Sequence, residues 1–110
     1  MSNTFKQLSG LGGNGKPHGN LDGLSDVLVH SVVGPTPEMV YITVTNRSTT
    51  IAGILTLTLD TTTFAVVNLP VRSVQTFGPF LVEGDTDFDV SCSGGTVYLS
   101  GVASTLIPGS

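Results

Sequence analysis

The stretch MVYITVTNRSTTIAGILTLTLD, residues 39–60, alternates apolar and polar side chains with a period of two. Val40, Ile42 and Val44 oppose Tyr41, Thr43 and Thr45, and after a polar break Leu55, Leu57 and Leu59 oppose Thr56 and Thr58. Successive side chains of a strand point to opposite faces, so each run reads as a strand with one apolar and one polar face. Val, Ile and Thr, which favour the pleated backbone, supply many of these positions. The Asn46-Arg47-Ser48-Thr49 segment between the runs reads as a turn rather than as a glycosylation site.

The same signature recurs on both sides of this stretch. Asp26 to Val33 is a strand with Val27, Val29 and Val33 on one face and Leu28, His30 and Val32 on the other. Gly34-Pro35-Thr36-Pro37 ends it. Downstream come Phe64 to Leu69, stopped by Pro70, and Ser73 to Val82, interrupted by Gly78-Pro79. Proline cannot donate to a strand ladder, so that interruption marks an edge or a bulge. Glu83-Gly84-Asp85-Thr86 is a turn, and Phe88, Val90 and Cys92 form the inward face of the next strand. Gly94-Gly95 then reads as a hairpin turn into Thr96 to Ala103.

Seven strands at intervals of about ten residues, with no helical period, predict an all-β fold. The expected architecture is an antiparallel β-sandwich, Ig-like or jelly-roll-like, of seven to eight strands with an extended N-terminal arm. A jelly roll needs an eighth strand, which residues 104–107 would supply. The single cysteine and the absence of tryptophan remove the marks of an antibody-type domain. Val40, Ile42, Val44, Leu55, Leu57, Leu59, Phe88, Val90, Val97 and Leu99 are the expected core.

A chain of 110 residues makes one domain with a core that needs no covalent staple. Only 11% of the residues are charged, against roughly 25% in soluble domains, so polarity rests on Thr and Ser. Such a surface suits either a Thr-rich sheet or a protein packed against neighbours. The net charge is −4, and Lys6, Lys16, Arg47 and Arg72 are scattered. A phosphate-tracking groove needs cations together, so no nucleic-acid partner is expected. No apolar stretch reaches a membrane span and no signal segment is evident, so no membrane partner and no secretion are expected. Cys92 reads as a small buried hydrophobe, with an interchain contact or a reactive thiol as the alternatives.

Residues 1–23 differ from the rest. They hold six of the 14 glycines and read as a Gly-rich arm preceding a sandwich domain at 24–110. Glycine-rich chain is costly to order, so order there would come from a partner. Phe5, Leu8, Leu11 and Leu21 are the expected partner-binding anchors of that arm.

The chemistry-bearing residues are sparse. His18 and His30 have no neighbours at ligand spacing, and a zinc site needs three or four ligands. Serines abound, but there is no Gly-x-Ser-x-Gly elbow and there are only two histidines to act as the base that nucleophilic catalysis needs. No catalytic residue, no metal and no cofactor is therefore expected. Asp85, Asp87 and Asp89 share one strand face with Glu83. They are open to three readings: a solvated face that discourages wrong pairing, a contact for a basic partner, or a calcium site.

In residues 39–60 and 77–103, about half the chain, the sequence resembles small virion proteins of tailed bacteriophages. The resemblance rests on Val44-Thr45-Asn46 closing a strand, Gly84-Asp85 in a turn and Ser100-Gly101-Val102 ending a hairpin. It implies a capsid decoration (cement) protein on the virion surface, made in the host cytoplasm and without catalysis. Its partners would be the major capsid protein and neighbouring copies of itself, as in a homotrimer. The alternatives are a phage tail or fibre subunit, or a host-glycan binding module, for which Tyr41 and Tyr98 are the only tyrosines.

Overall fold

A computed structural model describes residues 2–10, 19–21 and 27–107, with the side chains of those from 6 to 105. The described residues form nine strands and no helix: β1 (Ser2–Gln7), β2 (Gly19–Asn20), β3 (Val27–Val32), β4 (Glu38–Asn46), β5 (Gly53–Leu59), β6 (Thr62–Leu69), β7 (Ser73–Val82), β8 (Thr86–Ser93) and β9 (Val97–Ile107). One sheet runs β1-β9-β4-β7, with β2 also on β9, and the other runs β3-β8-β5-β6. Every pairing is antiparallel. Two such sheets bury their apolar faces against each other, which is a β-sandwich.

Among the described strands, apart from the short β2, only β5 and β6 are consecutive in one sheet; the other successive strands alternate between layers. With β1 beside β9 and β3 beside β8, this is the strand order of an eight-stranded jelly roll. The eighth strand is β1, not residues 104–107, which are the end of β9. Gly94-Gly95, both at positive φ, turns a corner between sheets and makes no hairpin. Among the described residues the one hairpin turns on Asp60 and Thr61, with φ of 49° and 74°, the signs a two-residue type I′ turn requires.

The core lies between the layers. Nine of the ten expected core residues are buried, and Leu59 is half-buried against them. Phe64, Phe80 and Phe88 close one end with ring centroids 5.4–6.1 Å apart. Two irregularities re-aim side chains. β7 bulges opposite Tyr41, where Gly78 sits at φ +112° and a Cβ would meet the Val40 carbonyl at 2.5 Å. β3 bulges between Leu28 and His30, so the inward phase slips by one residue. Val27, Val29, His30 and Val32 are all buried, and Val33 is 89% exposed. The strict alternation expected for β3 fails for that reason.

The described parts of residues 1–23 are not an unfolded arm. β1 completes six Cα pairs with β9, from Ser2↔Ile107 to Gln7↔Val102. β2 continues along the same edge, and the Leu21 amide donates to the Val97 carbonyl at 2.8 Å. The expected boundary at residue 23 therefore does not separate these segments from the sandwich.

Candidate functional site

The inward phase of β4 reads Glu38, Val40, Ile42, Val44, Asn46, and all five are buried. Its two ends are polar, and each gathers a cluster. At the first end, Glu38 Oε1 meets His30 Nε2 at 2.5 Å and Glu38 Oε2 meets Lys6 Nζ at 2.5 Å. The Thr105 hydroxyl donates to Oε2 at 3.4 Å. The Ser9 amide donates to His30 Nδ1 at 3.0 Å. A nitrogen that accepts carries no proton, so Nε2 holds the hydrogen and donates it to Glu38. One carboxylate thus ties β1, β3, β4 and β9 together.

Burial alone would raise the Glu38 carboxyl. Hydrogen bonds from Lys6 and His30, with the positive charge of Lys6, outweigh burial and hold it below the ordinary glutamate range. A buried carboxylate is costly unless paired and hydrogen-bonded, and here both oxygens are used. Both His30 nitrogens are engaged as well, and the ring is buried. The chemistry of this cluster is a clasp.

At the other end, Asn46 is fully buried and neutral. Its amide nitrogen donates to the carbonyls of Ile51 at 3.1 Å and Leu69 at 3.0 Å. Its oxygen accepts from the amides of Ser48 and Thr96, each at 3.1 Å. All four partners are main-chain groups from three corners that switch sheets. The amide fastens those corners together, and Gly95 leaves room for it, since a Cβ there would lie 2.8 Å from Asn46 Oδ1.

The expected anchors fall in different places. Leu8 and Leu21 are buried in this chain's own core, which overturns their expected role in a partner's groove. Phe5 lies in β1 opposite Ser104, with its side chain outside the described region, and Leu11 and His18 lie outside the described residues. The acidic run is divided among local partners. Asp85 Oδ1 accepts from the Gly34 amide at 3.0 Å, and Asp87 Oδ1 accepts from the Ser31 hydroxyl at 2.6 Å. Among the described residues no group of three His, Cys, Asp or Glu side chains is placed to hold a metal ion. Cys92 is buried, with its thiol 3.7 Å from the Gly94 carbonyl.

Sequence reasoning overlooked Glu38. The signal was there: it stands two residues before Val40, in phase with the apolar face of β4. Comparison with protein-family models, with curated proteins and with solved structures gives no match.

Proposed function

We propose that this chain is a structural subunit of a larger assembly, and that the assembly is the surface of a phage particle, where it decorates and stabilises the capsid. The observation that carries the first half concerns β6 and β7. They are the outer strands of their sheets on one side of the sandwich. Neither carries a charged residue, and Phe64, Val66, Val74 and Leu81 stand exposed along them. Proteins that live as free monomers blunt such edges with charge. Exposed apolar side chains along two uncharged edge strands favour a contact surface.

The second half rests on the resemblance in residues 39–60 and 77–103. Jelly-roll strand order accords with it, since that order serves in viral capsid proteins, although lectins and cupins share it. Function would then be mechanical. Each copy adds burial between neighbours, and many weak contacts hold a shell that one could not. The attachment surface is the sandwich itself, because Leu8 and Leu21 are committed to its core.

Co-sedimentation of the purified chain with empty phage heads tests this. The expected result is saturable recovery of the chain in the head pellet. A chain that stays in the supernatant at every ratio, or that binds defined glycans on an array instead, overturns the reading.

A further inference from the structure

We infer that the β6–β7 side of the sandwich pairs with the same side of a second copy of this chain, strand edge to strand edge, across a two-fold axis. It deepens the assembly reading above but does not depend on the phage particle.

The two lateral sides of the molecule are treated differently. On the β1–β3 side the β3 edge is partly covered from within, while β1 is the outer strand of its own sheet. After β1 the chain crosses to the other sheet and runs along β3. There the Gly10 amide donates to the Val29 carbonyl at 3.3 Å, and the Ser31 amide donates to Ser9 Oγ at 2.7 Å. Lys6 adds a charge on that side. On the β6–β7 side, among the described residues, no strand lies beyond either edge. Apart from the Asn68 carbonyl, which accepts from the Gln75 side chain, the outer ladders there are open to one more strand in each layer.

Irregularities limit which lengths can pair. In β7 the bulge at Gly78-Pro79 spoils the half beyond Phe77, and proline has no amide to donate. In β6 the ladder with β5 shifts register around Phe64. Two regular lengths remain, residues 65–69 of β6 and 73–77 of β7. They lie against one another, joined where the Gln75 amide group donates to the Asn68 carbonyl at 3.1 Å. The bare side is thus a two-layer edge with both layers regular over the same stretch.

An occupant must bring an uncharged strand edge of matching extent to both layers at once. This chain carries one. A two-fold axis pairs an edge with its own copy in the antiparallel sense, and one rotation serves both layers. Because neither strand carries charge, the operation sets no like charges opposite each other. The contact extends both sheets and flanks Val66 and Val74, which stand on the outer faces of the two layers and are 63% and 65% exposed.

The test is the oligomeric state of the full chain by sedimentation equilibrium, from micromolar to millimolar concentration, in buffer without heads. A monomer–dimer equilibrium is expected. Val66→Lys combined with Val74→Lys places every new charge in the contact twice. The double variant should weaken the dimer by about tenfold or more. Val33→Lys, on the exposed loop 33–37, should leave it unchanged. Circular dichroism and melting confirm that the variants fold, since all three positions face solvent. A chain that stays monomeric throughout, a trimer, or self-association indifferent to the double variant overturns the proposal. Head binding is not involved in this readout, so it fails or succeeds separately.

Discussion

The two ends of β4 solve one problem in two ways. At each, a polar side chain occupies the inward phase and is sealed from water. Asn46 answers with a neutral amide whose four hydrogen bonds all go to main-chain groups. Glu38 answers with a charge shared between a lysine and a histidine from other strands. The amide end fastens corners that the chain has already turned. The carboxylate end recruits β1, which is remote in sequence and weak in strand character. Charge holds what local propensity does not.

The largest effect should come from removing what the clasp recruits. Deleting residues 2–9 takes away Lys6, the buried Leu8 and the ladder with β9. Truncating one buried leucine alone costs about 2–5 kcal/mol, and Glu38 would also lose its lysine. Urea denaturation should show a loss of at least about 4 kcal/mol. An unchanged midpoint would mean that β1 is dispensable and the clasp ornamental.

Next is Asn46→Ala. It strands buried main-chain donors and acceptors, each costing about 1–3 kcal/mol when unsatisfied, so a total near 3 kcal/mol is expected. The loss should be the same at pH 4 and pH 7, because the amide does not titrate. A pH-dependent loss would break the contrast between the two ends.

Glu38→Gln should cost less, about 1–2 kcal/mol at neutral pH, since the shape and some hydrogen bonds survive. Its signature is in pH. The folded-state carboxyl is held below its ordinary range, so its contribution is complete above that range and is lost as pH falls through the lowered value. Melting curves of wild type and variant should therefore converge in acid. Parallel curves down to pH 3 would show that the charge contributes nothing.

The smallest effect belongs to neither end. Cys92, on the inward face of β8, should react slowly with a thiol reagent in the native protein and quickly in urea. Fast native labelling would mean that the layers open between the two clusters.

Much of the architecture was legible because burial imposes a period of two. β4, β5 and β9 announce themselves through Val40, Leu55 and Leu99 and their in-phase neighbours. What escaped was set by contacts distant in sequence. Ser2–Gln7 shows no apolar alternation and is a strand only because β9 offers an edge. The phase of His30 depends on a bulge against β8, which no local pattern marks. Asp60-Thr61 lacks the glycine that usually flags a tight hairpin, whereas Gly94-Gly95 has it and turns between sheets instead. The clasp was illegible for the same reason: Lys6, His30 and Glu38 each look ordinary until three strands meet.

The pairing of Ser2 with Ile107 has a mechanical consequence. A pull applied between those two residues meets the β1–β9 ladder at its open end. Hydrogen bonds then break in succession, as in a zipper, and the force needed stays low. A load entering through the β6–β7 side and leaving along β9 would cross whole ladders lengthwise, where all bonds of a strand resist together. The same domain is compliant to traction at those two residues and stiff to stress carried across its width.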